Sequence, residues 1–149
     1  MSDEPLRVAA ALVLDDDGRV FVQRRSPDRR LFPNCWDVVG GHIEPGESVE
    51  DALRREVNEE TGWQLSIVLG SLGEVTYDGD DGRRRVEEDF LVRVDGDLSR
   101  PRLEAGKAVE CRWLDAGELD TVVDGQAPGD VLIRELLARG FAAVRALGL

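Results

Sequence analysis

The chain has 149 residues, a formal net charge of −12 and a pI near 4.5, which suits one domain and excludes a basic surface for a nucleic-acid backbone. A domain of this length buries roughly 68–70 % of the surface of its unfolded chain, enough for one core. Cys35 and Cys111 stand far apart and His42 is the lone histidine, which excludes a disulfide framework or a zinc site of ordinary spacing and makes reduced, cytoplasmic thiols the default.

After MSDEP, the apolar run from Val8 to Leu14 is too short and wrongly flanked for a signal peptide or a membrane span, so it reads as a strand and no membrane partner is expected. The stretches RVAAALVL and RVFVQRR flank the tetrad from Asp15 to Gly18, the pattern of a strand, turn and strand. Trp36 to Val39 is a third short strand. It leads into Gly40-Gly41, where two missing side chains allow close approach by a phosphate or by neighbouring backbone.

Pro45-Gly46 suits the middle of a type II turn, Ser48 is a good N-cap with Asp51 three residues on, and Gly62 closes the intervening helix at C′. Leu65 to Tyr77 reads as extended, Asp78 to Gly82 as a turn, and Val86 to Val94 as the returning strand of a hairpin. Val109 to Leu114 is a further strand and Ala116 to Val123 a short helical turn. Asp130 to Ala138 reads as an amphipathic helix ending at Gly140. Mixed strands with two helices on opposite sides predict an α/β class with an α/β/α layer arrangement. No repeat, low-complexity tract or linker interrupts residues 1–149, so a single domain is expected.

The helix after Ser48 carries the chemical signal. At about 100° per residue, Val49, Ala52, Leu53 and Val57 form one apolar face. Glu56 and Glu60 project through the middle of that face, and Glu59 runs along its Ala52 edge. Clustered carboxylates repel, and burying an unpaired charge costs several kcal/mol, so a positive partner is required. A hard divalent cation such as Mg²⁺ prefers such oxygens and shares its shell with substrate phosphates. Glu47, a first-turn acid, suits the helix dipole or a catalytic role. His42 is either a polar loop residue or a contact for phosphate or metal.

Here the residues resemble the Nudix hydrolases, whose box spaces a glycine, a glutamate, an Arg-Glu pair, a Glu-Glu pair and a closing glycine. Gly41, Glu47, Arg55-Glu56-Val57, Glu59-Glu60, Gly62 and Trp63 fill every specified position, with Trp63 an unusual apolar choice at the last. The resemblance implies the family's α/β/α sandwich with a mixed sheet and a loop-helix-loop catalytic motif. It also implies metal ligation by Glu56, Glu59 and Glu60, a structural ion pair of Glu47 with Arg55, and support of the loop beside the metal by Gly41. The expected cofactor is Mg²⁺, with Mn²⁺ as a substitute. Glu59, Glu60, Arg55 and Glu47 make up the catalytic set, Glu59 serving as ligand or general base, with Gly40 and Gly41 against the bound group. Outside the box Glu110 is the candidate for a further metal acid, its alternative being an outward-facing strand residue, and Glu104 lies in the same region.

Metal ions would neutralise phosphate charge, orient the chain and activate water, which displaces one phosphoryl group. By resemblance the substrate is a nucleoside diphosphate linked to another group. The proline of ADP-ribose hydrolases is replaced near Tyr77 and Asp78, the NADH-type SQPWPFP motif is absent, and VVGG stands where coenzyme A-type members carry FPGG. A nucleoside triphosphate giving monophosphate and diphosphate leads by elimination. Trp36, Phe32 and Tyr77 are candidates for stacking on a base or for the core. The run from Arg83 to Asp89 is either a solvated strand edge or a source of arginines for phosphates. An isopentenyl-diphosphate-isomerase-like enzyme is the runner-up, although Gly40 stands where that group carries a cysteine, and a non-catalytic nucleotide-binding regulator is the third reading. Partners are thus expected to be small nucleotides, with a homodimer left open.

Overall fold

The computed structural model describes residues 4–79, 81–123 and 128–149. Strands β1 (Leu6–Val13), β2 (Val20–Arg25), β3 (Trp36–Asp37) and β4 (Val39–His42) precede helix α1 (Val49–Thr61). Strands β5 (Gln64–Asp78), β6 (Arg84–Asp95) and β7 (Ala108–Leu114) follow, then a 3-10 turn (Ala116–Thr121) and helix α2 (Pro128–Ala146). One sheet has the order β4-β1-β6-β5 and is mixed, because β1 runs parallel to β6 and antiparallel to β4. A second, antiparallel sheet has the order β3-β2-β7.

The alternation of β1 distributes the core. Ala9, Ala11 and Val13 pack with Ala52, Leu53 and Val57 of α1, whereas Ala10, Leu12 and Leu14 pack with Ile133, Leu136, Leu137 and Phe141 of α2. The α/β/α layering is therefore a product of one strand whose two faces are both apolar. Each fully covered leucine contributes roughly 1.5–3 kcal/mol of transfer free energy; Leu12, Leu53 and Leu137 are at most 1 % exposed.

The first strand, turn and strand form as expected, and two later expectations need correction. Asp15 closes the expected turn, accepting from the backbone of Asp17 and Arg19 at 2.9 and 2.8 Å, but after the Leu14–Val20 bridge the strands part. Both edges of β1 are taken by β4 and β6, and both edges of β2 by β3 and β7. The segment from Trp36 to Val39 is likewise divided at Val38, β3 joining one sheet and β4 the other.

The last helix is longer than expected and passes through Gly140 to Ala146. Gly140 ends nothing; a methyl group there would collide with Cδ2 of Leu12, so the glycine lets α2 lie close on the sheet. The helix ends instead at Gly148, with φ of 71°, where the N–H of Leu149 donates to Val144 at 3.0 Å and that of Gly148 to Arg145 at 3.2 Å. This is the paired bonding of a Schellman motif. The β5–β6 hairpin forms as expected, with Gly82 at φ 77° in its turn; Asp80 of that turn lies outside the described residues.

In a free helix, glycine to alanine stabilises by about 1 kcal/mol. Gly140→Ala is expected to lower stability by about 1–2 kcal/mol instead, because overpacking outweighs propensity. Chemical denaturation checks the sign, and the loss should shrink when Leu12 is also shortened to alanine.

Candidate active site

Helix α1 is fixed at both ends before its glutamates are placed. Ser48 Oγ accepts from the N–H of Asp51 at 3.1 Å, and Gly62 takes the left-handed conformation at φ 79°. The Pro45-Gly46 turn closes by the Glu47 N–H donating to Glu44 at 3.0 Å, which presents Glu47 to the helix. Glu56 and Glu60 are then buried, at 5 % and 6 % exposure, while Glu59 stays at the rim with 44 % of its side chain exposed.

The carboxyls of Glu56 and Glu60 are neighbours. Burial first, and the Glu56 carboxyl second, push Glu60 well above the ordinary carboxylate range. Glu60 is further clamped by Gln23 Nε2, donating to Oε1 at 2.7 Å, and by the N–H of Gly40, donating to Oε2 at 3.1 Å. Gly41 lies against Glu56, and a side chain there would collide with the carboxylate. The glycine pair thus makes room for carboxylates.

Arg55 supplies positive charge to this cluster. Its Nε and Nη2 grip Glu47 in a fork at 2.9 and 3.0 Å, Nη1 reaches Glu56 at 2.8 Å and Glu59 at 3.3 Å, and Nη2 also donates to the His42 carbonyl at 3.0 Å. The Arg55 hydrogen bonds hold the Glu47 carboxyl down to about 2, helped by the N–H of Glu44. Burial, with Arg85 adding, holds His42 below its usual value.

Among the described residues no group of three His, Cys, Asp or Glu side chains is gathered around one point, because Glu59 is turned to Arg55. The donor set nonetheless suits a hard divalent cation: two adjacent buried carboxylates, a third at the rim, and no side chain from Gly41 to block approach.

These groups form one end of a cavity of about 570 Å³. It opens where the two sheets part, between Gln23 and Arg25 of β2, Asp37 of β3 and Gly40 of β4. Phe32, Trp36 and Tyr77 all line it, with the Phe32 and Tyr77 ring centroids 6.2 Å apart. Asp37 accepts from the N–H of Val38 at 2.8 Å and faces Arg25 at 3.5 Å; burial raises its carboxyl, and its field reaches Glu60 on one side and Tyr77 and Glu87 on the other.

Glu110 stands elsewhere. It is opposite Arg24 in the β2–β7 register, pairs with it at 2.7 Å, and does not line the cavity. Glu104 binds Lys107 at 2.9 Å, and Lys107 rather than Glu104 lines the cavity. The Arg83–Asp89 run is no strand edge, since β6 lies between β1 and β5. Arg84 and Glu88 face outward, whereas Arg85, Glu87 and Asp89 face the α2 side, Asp89 being wholly buried. Gln23 was not singled out by the sequence, although a polar residue sharing strand parity with the core residue Phe21 was its available sign.

With this geometry in place, the similarities to known proteins are specific. The NUDIX domain family model matches residues 4–137. An uncharacterised Nudix hydrolase of a Nostoc species is 46 % identical over 63 residues, covering 42 % of this chain and 37 % of that protein. The nucleoside triphosphatase NudI of Escherichia coli K12 is 36 % identical over 93 residues, covering 58 % of this chain and 63 % of its own. The chain thus matches less than two thirds of the length of either curated relative. The solved MutT protein of Methanosarcina mazei shares the fold at a TM-score of 0.76 with 23 % identity, covering 96 % of this chain and 98 % of that one. A MutT NUDIX hydrolase of Burkholderia pseudomallei gives 0.72 with 25 % identity, covering 89 % and 98 %. A complete box on a capped helix, a mixed sheet clasped by two helices, and a family match over nearly its whole length together establish that the chain belongs to the NUDIX family.

Proposed function

We propose that residues 1–149 act as one hydrolase domain that cleaves a phosphoanhydride in a nucleoside diphosphate linked to another group. A nucleoside triphosphate yielding monophosphate and diphosphate is the foremost substrate. The observation that carries this reading is the buried Glu56–Glu60 pair opening onto a cavity with aromatic walls. The likeness to NudI, a nucleoside triphosphatase, supports the same class.

Glu56 and Glu60 would hold Mg²⁺ or Mn²⁺, with Glu59 kept for the general-base role rather than as a ligand. When bound, such a cation neutralises phosphate charge and lowers the pKa of a water in its shell. Gln23 and the Gly40 N–H fix both oxygens of Glu60, so its orientation is set before substrate arrives. Arg55 steadies Glu56 and Glu59 from the opposite side and is itself held by Glu47. Glu59, the exposed member, takes a proton from the attacking water, the new bond forms at phosphorus, and the bridging P–O bond breaks to release the diphosphate. An isomerase-type cysteine before Gly41 has no room here: a Cβ at position 40 would lie 2.6 Å from the carbonyl oxygen of Ala9.

Three outcomes are expected. Millimolar Mg²⁺ should raise the unfolding midpoint, by about 2.7 kcal/mol at a hundredfold excess over the dissociation constant; thermal melts with and without EDTA check this, and Glu60→Gln should shrink the shift. Glu56→Gln or Glu60→Gln should cut turnover by roughly 10²–10⁴-fold while leaving the metal-free fold as stable or slightly steadier, because a like-charged pair is removed. Hydrolysis of a nucleoside triphosphate in ¹⁸O-labelled water should place the label in monophosphate or diphosphate and never in a sugar or base. EDTA should stop the reaction and Mg²⁺ restore it; orthophosphate as the sole inorganic product would overturn the assignment.

A further inference from the structure

The far end of the cavity, away from the glutamates, has its own polar wall. On β6, Arg85 and Glu87 share one face, and Tyr77 of β5 stands opposite Arg85 in the register. The Tyr77 hydroxyl donates to Glu87 Oε1 at 3.1 Å. Behind Glu87 lies Asp89, fully covered, whose Oδ2 accepts from Arg139 of α2 at 3.0 Å. Oδ1 of Asp89 has no hydrogen-bond partner among the described residues, and Glu87 is its neighbour on the same strand face. Two neighbouring carboxyls of which one has a guanidinium and the other none resolve their repulsion by protonating the unpaired one. Burial and Asp89 accordingly push Glu87 well above the ordinary carboxylate range.

The direction of these protons decides what the wall offers. The Tyr77 proton is spent on Glu87 Oε1, so the cavity meets the remaining lone pairs of Glu87 Oε1 and of the phenol oxygen. Beside them is one donor. Arg85 is 4 % exposed and both of its terminal nitrogens bind Asp81 at 2.9 Å, but its Nε has no partner among the described residues. A buried N–H left unmade costs free energy, and an occupant that supplies an acceptor there recovers it. Phe32, held at φ 47°, and the Tyr77 ring add flat apolar surface to the same end.

Resting on the nucleotide reading above, we propose that Glu87, Tyr77 and Arg85 form the base-reading wall of the site and select bases that carry an exocyclic amino group. The amino hydrogens meet the Glu87 and Tyr77 lone pairs, and the ring nitrogen or carbonyl next to the amino group accepts from Arg85 Nε. A base with a carbonyl in place of that amino group turns lone pairs toward lone pairs and is rejected.

The test compares dCTP and dUTP, which differ at this edge alone. In kcat/KM with Mg²⁺ the wild type should favour dCTP at least tenfold. Glu87→Gln, which can turn an amide N–H to the carbonyl, should reduce that ratio at least tenfold, and Tyr77→Phe should raise the KM for dCTP more than it lowers kcat. Glu88→Gln, on the outward face of the same strand, should leave the ratio unchanged. A wild-type ratio within twofold of one, or an unaltered ratio in Glu87→Gln that melts like the wild type, would overturn the inference while leaving the hydrolase reading intact. If the wild type hydrolyses neither nucleotide, the triphosphate assignment falls and calorimetric binding of cytidine and uridine decides the inference separately: preference for cytidine sustains the base-reading wall, and equal or no binding overturns it.

Discussion

Two carboxyls, those of Glu56 and Glu60, are pressed together in a wall that leaves neither more than 6 % exposed. Several kcal/mol of desolvation and mutual repulsion must be offset at this spot, and the distinctive residues of the chain are arranged around that need. Gln23 and the Gly40 N–H bond one carboxyl, Arg55 bonds the other, and Gly41 gives up its side chain to admit it. Arg55 in turn would carry excess charge without Glu47, which the Pro45-Gly46 turn delivers. A stable protein gains nothing from such an arrangement by itself. Fixed, concentrated carboxylate oxygens are instead the donor set that a hard divalent cation prefers.

The parting of the sheets supplies the space. Strands β1 and β2 begin as neighbours and then diverge, and the segment of β3 and β4 crosses from one sheet to the other within four residues at Trp36–Val39. Between them the backbone leaves a wedge, floored by Ala10 and Val8 and closed by α2. Small residues on β1 and glycines on β4 keep the wedge from filling. The glutamate-bearing helix α1 and the aromatic far end therefore belong to a single cleft whose ends differ in chemistry.

What the sequence disclosed was local. The capped helix, its apolar face and the three glutamates follow from spacing over a dozen residues, and Ser48, Gly46 and Gly62 act as their neighbours in sequence dictate. The β5–β6 hairpin is likewise a contact of near neighbours. The division of strands between two sheets depends on which edges distant strands occupy, and no pattern within β1 or β2 states it. Gly140 shows the same limit, because its terminator reading ignored Leu12, more than a hundred residues away in the chain. Glu110 was placed by its neighbourhood in sequence, but its partner Arg24 is fixed by strand register. Gln23 and Glu87 escaped attention because a single polar residue in a strand has two faces to choose from.

Arg139 has a consequence for motion. It leaves α2 to donate to the carbonyl of Leu72 at 2.5 Å and to Asp89 at 3.0 Å, which joins the helix to the strands behind the cavity. Were α2 to peel away, Asp89 would lose both its cover and its cation, and the Glu87–Tyr77 chain would lose its anchor. Opening of the helix and loosening of the far wall are thus coupled events with a common free energy, as in a cooperative unit of native-state exchange. The cleft is in this sense bolted from behind, and the far wall takes its rigidity from an arginine that does not itself line the cavity.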